Sequence, residues 1–413
     1  SKVEHFVGWS GNKDGIEHLP DGDFLPPFEM NCVEKEMKKR IELSYDNRYL
    51  VQGRCAHLTE VRDIHRKQGR GMCMARNRCY RGCPYGAYFS SNSSTLPWAE
   101  KTGNLTKRMN SVVHSIIYDD KKGKAAGVRV IDANTKEMTE YYSRIIFVNA
   151  ACINTNLILL NSKSNRFPDG LGNDNGTLGR YISFHNYRGR ISAVYDGFKD
   201  QYYTGRRPTG PIMPPFRNVY KQEKNLDFQG KYLVSTGAGR EGWARGTGSE
   251  NIGKTLKDEL QNPGDWRIYM SIQGEVIPRY ENHVRLSDTE TDPWGIPQIV
   301  TSVDYTENDD NMIRDFLEQG VEMLEKTGCK DIQPNDSKKA QRLDIQEMLG
   351  PQIGKDSKNT IKKWNQVHSC KNVFVTDGAC MSSVAEQNPS LTFMAITARA
   401  ANYAADEMQK GNL

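Results

Sequence analysis

The sequence predicts an α+β protein in two parts, an α/β domain of Rossmann-like type and a domain built on an antiparallel sheet. Three observations carry this. Residues 372–408, NVFVTDGACMSSVAEQNPSLTFMAITARAANYAADEM, run as apolar strand, Asp-Gly turn, polar loop and helix. Residues 144–162, RIIFVNAACINTNLILLNS, give a second buried strand, a turn of small residues and a helix. Between residues 186 and 345, short β-rich runs alternate with Gly and Pro turns, as in an antiparallel sheet.

A chain of 413 residues suggests two domains and can bury a substantial core. Its net charge is +5, with 26% charged residues of both signs interspersed, so neither nucleic acid nor an anionic membrane is indicated as a partner. No apolar run approaches the ~18 residues of a membrane span. The nine cysteines are an odd number and most stand singly beside apolar neighbours, which reads as reduced thiols and favours the cytoplasm. The chain opens on Ser1 without an initiator Met or a leader pattern, and we expect an incomplete or processed product. An oligomer stays open.

Taken in order, residues 1–60 carry Gly and Pro turns and a helix from Cys32 to Leu43 with Val33, Met37 and Ile41 on one face, read as a cap or lid. Residues 69–90 bring Cys73, Cys79 and Cys83 close together, with His57 and His65 as candidates for a fourth zinc ligand. Their spacing is not that of paired CxxC knuckles, and no metal is expected. Residues 110–132 form a hairpin around a turn at 119–123. The segment Asn282–Asp288 and the run Trp294–Pro297 read as a second hairpin. From Asp309 to Thr327, Met312, Ile313, Phe316, Leu317, Val321 and Leu324 mark a core-facing helix. The spacing Gly-x-Gly-x-x-Gly occurs once, at 237–242 after Tyr232-Leu233-Val234. The sequel is too glycine-rich to open a helix, so it is read as a loop and not as a phosphate cradle. In the final helix Leu391, Met394, Ala395, Ala398, Ala401, Asn402 and Ala405 mark the face expected to pack on the sheet.

The strand, Asp377-Gly378, the loop and Asn388-Pro389 before a helix resemble the C-terminal signature of the glucose-methanol-choline family of flavin oxidoreductases. Gly179, Arg180 and His185 resemble the segment that leads from that family's flavin domain to its substrate domain. The resemblance implies FAD as cofactor, with Asp377 and Gly378 by the diphosphate and ribityl chain. Asn388 would face the flavin ring, with Pro389 and Thr392 beside it. Val112 or Val113 would lie near the adenine, and Asn149, Ala150 and Ala151 would form the second flavin-sheet turn. At that turn Ala stands where Gly is usual, a mild change if φ there is negative. The implied division is a cap at 1–60, a composite flavin-binding domain at 61–183 and 341–413, and a substrate-binding domain at 184–340.

Hydride removal from an alcohol requires a group that accepts the hydroxyl proton. In the family an Asn or His of the C-terminal loop and an earlier His face the flavin; here these catalytic places fall on Asn388 and Gln346. The stretch QEMLGPQIG at 346–354 departs from the family pattern, with Gln346 at the His position, Leu349 at the first Gly and Ile353 at the Met. A carboxamide positions a hydroxyl but cannot take its proton; His185, His283 and His368 are the candidate substitutes. The glycine-rich FAD strand and helix that open the family's domain are not found in this chain. Two readings stay open, a piece of a flavoenzyme that oxidises a CH–OH group on a sugar or glycoside, or a diverged, non-catalytic carbohydrate-binding or scaffolding relative. The expected substrate is a small-molecule carbohydrate held by side chains such as Trp266, Trp294 and Tyr202, with the electron acceptor unknown.

Overall fold

The computed structural model describes residues 2–76, 78–202, 208–242, 245, 252–338, 345–355 and 359–413. Among these, four helices have ten residues or more: α1 (Cys32–Ser44), α2 (Cys152–Asn161), α3 (Glu307–Lys326) and α4 (Ser390–Gln409). In chain order the strands that matter here are β1 (Val51–Gln52), β2 (Ser111–Asp119), β3 (Lys124–Asp132), β4 (Met138–Tyr142), β5 (Ile146–Val148), β6 (Gly189–Tyr195) and β7 (Pro211–Met213). They continue with β8 (Tyr232–Arg240), β9 (Trp266–Glu275), β10 (His283–Thr291), β11 (Pro297–Ser302), β12 (Lys330–Asp336), β13 (Gln366–Val367) and β14 (Cys370–Val375).

The chain folds into two compact units. The first comprises Ser1–Leu105, Asn186–Gly274 and Glu307–Lys339. Its sheet runs β12-β6-β9-β8-β7-β1, antiparallel throughout. Alternate residues of β9, Trp266, Ile268, Met270 and Ile272, are buried, as the period of a strand requires. They share one core with Val33, Met37 and Ile41 of α1 and Met312, Ile313 and Phe316 of α3. Residues 1–60 therefore do not stand apart as a cap, because α1 and Leu50 are part of this core. Residues 61–105 also belong here and not, as expected, with residues 106–183 and 341–413. The Asn31 side chain accepts from Glu34 N–H (3.0 Å) and the Glu34 carboxylate accepts from Asn31 N–H (2.9 Å), a capping box that starts α1.

The glycine spacing at 237–242 is mostly strand, not loop. Gly237 and Gly239 lie inside β8, paired with Tyr269 and Arg267 of β9. A Cβ on Gly237 would come within 2.9 Å of the Tyr269 ring, so glycine makes room for the neighbouring aromatic. Part of the sequel, at 243–244 and 246–251, lies outside the described residues.

The second unit comprises Thr106–His185, Glu275–Thr306 and Ala340–Leu413. Here β14 lies between β13 and β5 and runs parallel to β5, with Val373 opposite Ile146 and Val375 opposite Val148. The expected hairpin is β2–β3, extended by β4. Buried Asn372 fastens it to β14 by accepting from Ala125 N–H (3.0 Å) and donating to the carbonyls of Ala125 (2.8 Å) and Arg144 (2.9 Å). The β10–β11 hairpin packs on α2, which is why 275–306 joins this unit. The face of α4 is also corrected. Ala400 and Ala404 pack with Phe374, whereas Ala395, Ala398, Ala401, Asn402 and Ala405 are exposed.

Candidate functional site

The carboxyl ends of β5 and β14 lie side by side, the place where parallel sheets present residues to ligands. Their ends are tied together by hydrogen bonds. Asn149 Oδ1 accepts from the Thr376 N–H (3.2 Å) and hydroxyl (2.9 Å), and Thr376 Oγ1 in turn accepts from the Thr397 hydroxyl of α4 (2.8 Å). Asn149 and Ala151 are exposed at this edge and Ala150 is half-buried. Ala151 opens α2 at φ 67° and ψ 159°. The negative φ expected for this alanine is thus overturned: the turn keeps a backbone region that only glycine enters without strain.

Asp377 follows β14 and caps the short turn Gly378–Cys380. Its Oδ1 accepts from Ala379 N–H (3.0 Å) and its Oδ2 from the Thr155 hydroxyl (2.6 Å). Thr155 Oγ1 accepts from Ala150 N–H (3.1 Å), so one carboxylate organises both strand ends. Burial pushes the Asp377 carboxyl above the usual aspartate range, opposed by the donors on Thr155, Ala379 and Ala151. Gly378 is buried, and a Cβ there would stand 2.7 Å from the Glu347 carbonyl.

Val112 and Val113 begin β2, and Val113 is exposed. The neighbouring His114 carbonyl accepts from Asn161 at the end of α2 (2.9 Å), so α2, about 15 Å long, runs between these valines and Ala151. Asn388 and Thr392 are exposed at the start of α4, with Pro389 buried between them. The loop before them packs through Val384 on Met348 and Leu349.

Gln346 enters through that same segment. Met348 exchanges backbone hydrogen bonds with Ser183, Leu349 N–H donates to Gly378 O (3.0 Å), and Ile353 N–H donates to Cys380 O (2.9 Å). This zipper brings Gln346 Oε1 to 2.7 Å from Nε2 of the fully buried His185. Of the three candidate substitutes, His185 is the one that the fold makes the partner of Gln346. The other candidates lie elsewhere, His283 with Nδ1 on the Glu281 carbonyl and His368 with Nε2 toward Gly354 O. Leu349, at the family's glycine position, sits at φ 75° with its side chain buried and its carbonyl accepting from Asn156 Nδ2 (3.1 Å).

Two of the aromatic side chains expected to hold substrate are structural. Trp266 is buried in the first unit with its indole N–H on Phe198 O (3.0 Å), and Trp294 donates to Ala133 O (3.1 Å) in the second. Tyr202 is exposed, beside residues outside the described set. Thr155 and Thr376 were missed. Thr155 was findable as the residue one helical turn beyond Ala151, whereas Thr376 carries no signal apart from adjacency to Asp377.

These elements define an α+β protein whose candidate site lies at the ends of two parallel strands. Comparison with known sequences bears on its ancestry. An N-terminal GMC oxidoreductase profile matches residues 9–186 and a C-terminal GMC oxidoreductase profile matches residues 278–397. The chain belongs to the GMC oxidoreductase family. It is 25% identical over 346 residues to the 2-methyl-1,2-propanediol dehydrogenase of Mycolicibacterium austroafricanum, covering 82% of this chain and 61% of the relative. It is also 25% identical over 356 residues to the paromamine 6'-oxidase of Streptomyces fradiae, covering 83% and 60%. The chain thus spans about three fifths of the length of these relatives. Among solved structures, pyridoxine 4-oxidase from Mesorbium loti shares the fold with a TM-score of 0.61 at 13% identity, over 92% of this chain and 71% of that one.

Proposed function

We propose that this protein is an FAD-dependent oxidoreductase that oxidises a CH–OH group, with a sugar or glycoside as the preferred substrate class. The observation that carries the reading is the joining of Gln346 to His185 in the unit that also carries Asp377 and Gly378 after β14 and Asn388 before α4. The residues that would receive a dinucleotide are Asn149 and Ala151, exposed at the strand end, and Val113, exposed toward the far end of α2, while buried Gly378 makes room for the Glu347 carbonyl. Bound there, FAD supplies the hydride acceptor. With Oε1 held by His185 Nε2–H, the Gln346 amide is oriented to donate its N–H to a substrate hydroxyl oxygen, which favours the developing alkoxide. Asn388 supplies a second amide for the same hydroxyl. Neither amide accepts the proton, so turnover is limited by that transfer.

The support for sugars comes from resemblance. One relative is named a fructose dehydrogenase large subunit, whereas another is named a 2-methyl-1,2-propanediol dehydrogenase. Q346H is the test. Turnover with FAD and a sugar panel rises by about tenfold or more, since a general base is worth ~10²–10⁴, and acquires a rising limb near pH ~6.5. Protein with its natural flanking sequence that binds no FAD, with or without the substitution, rejects the enzyme reading. It favours the non-catalytic relative, to which the side chains at two family glycine positions, Ala151 and Leu349, also point.

A further inference from the structure

Away from the strand ends, in the first unit, a small cavity is lined by Cys73, Cys79, Cys83, His57 and Met74. All three thiols are free, and none of them has a part in the proposed oxidation. Cys79 is exposed and its Sγ lies 3.8 Å from His57 Nε2. Cys73 is half-buried, its backbone N–H held by the Leu58 carbonyl (2.8 Å), and burial raises its thiol against a backbone hydrogen bond from Ala75. Between residues 64 and 99 the chain carries six Lys or Arg and no Asp or Glu. Arg76 and Arg78 line the cavity itself. His65, one candidate fourth ligand, is spent elsewhere, accepting from Arg62 N–H (3.2 Å) and directing Nε2 to His5 O (3.1 Å). Among the described residues no three His, Cys, Asp or Glu side chains are placed to hold a metal ion, so the chemistry left to this cluster is that of thiols.

We propose that Cys79 is a thiol–disulfide exchange site that closes a disulfide to Cys73, with an anionic low-molecular-mass disulfide such as oxidised glutathione as the oxidant. The order of events follows from exposure. The Cys79 thiolate attacks one sulfur of glutathione disulfide, forming a mixed disulfide and releasing one glutathione thiolate. The Cys73 thiolate, less exposed than Cys79, then attacks Cys79 Sγ and releases the second. Two protein thiols are oxidised and one glutathione disulfide is reduced to two thiols. The arginines that line the cavity draw in the oxidant's carboxylates.

The test treats the whole chain with glutathione disulfide at neutral pH and maps tryptic peptides without reductant. Cleavage at Arg76 and Arg78 falls between the two cysteines, so the expected product is a pair of peptides joined until reductant is added. C73S should stop at Cys79 carrying one glutathionyl group, and C79S should leave both thiols free. R76Q/R78Q should slow the reaction with glutathione disulfide several-fold, without slowing a neutral reagent such as hydroxyethyl disulfide. Retention of all nine thiols overturns the proposal. So does a crosslink of Cys79 to Cys83, or stoichiometric zinc or iron in the purified protein. None of these readouts depends on flavin or turnover.

Discussion

Ala151 places a methyl group where the backbone has φ 67° and ψ 159°, a region that costs a non-glycine residue about 1–3 kcal/mol. A151G should therefore stabilise the fold by roughly that amount, read as an increase in the urea midpoint at unchanged m-value. Gly350 poses the converse case. At φ 107° its added Cβ would collide with the buried Asn156 amide, so G350A should destabilise. Titration gives a second pair of outcomes with opposite signs. Asp377 has a folded pKa above its unfolded value, so the native state binds the extra proton and its contribution weakens as pH rises from about 4 through the raised value. His57, pushed down to about 4 by burial and the Arg70 charge, behaves in reverse. Its contribution is full above ~6.5 and is lost as pH falls from there towards 4. Urea titrations of D377N and H57Q against the parent between pH 3.5 and 7 should each remove one slope. Residue identities at the site were legible from motif order, but their conformations were not. Nothing in Asn149-Ala150-Ala151 announces a positive φ, and nothing in Gln346 announces a histidine 161 positions earlier in the chain.

Helix α1 shows how much a single element can reveal in its own sequence. Asn31 and Glu34 satisfy each other's backbone, and the same two side chains reach across to β8. Asn31 Nδ2 donates to Ala238 O (2.7 Å), and Glu34 accepts from Ala238 N–H (3.1 Å). N31A should exceed the usual ~1 kcal/mol of a lost cap, because the strand loses a partner as well. Helix α4 shows the opposite. Its alanines at 395, 398, 400, 401, 404 and 405 cover every direction, so small size cannot select a face, and only the position of Phe374 does. A400L should cost about 1–3 kcal/mol by overpacking, whereas A401L, on the exposed face, should stay within about 0.5 kcal/mol. Thermal melts of the pair decide whether the face assigned here is right. Strand β8 was misread for a related reason. Glycine normally signals a loop, and only its neighbour on β9, Tyr269, explains two glycines inside a strand.

At the scale of the molecule, the fold class was legible because parallel and antiparallel strands leave different patterns, continuous apolar runs in one case and alternation in the other. The division into units was less so. Hairpin β10–β11 falls within the substrate domain that the resemblance implies, yet it serves as a wall for α2, a choice made by tertiary packing alone. Flavin content is the property that tests the whole reading. Protein purified with its natural flanking sequence should be yellow and should be bleached by its substrate without oxygen, whereas a colourless preparation that takes up no FAD would reject it.

The parallel pairing of β5 with β14 sets a condition on biosynthesis. The Asn149–Thr376 link joins positions 227 residues apart, so β5 leaves the ribosome long before its partner is made. Until then Ile146 and Val148 have no neighbour on that side, and the second unit stays open to proteases and chaperones. A stalled nascent chain ending before Cys370 should be cut readily within residues 106–185, while the released chain resists. The parallel pair of the second unit therefore closes only once Cys370–Val375 has been made.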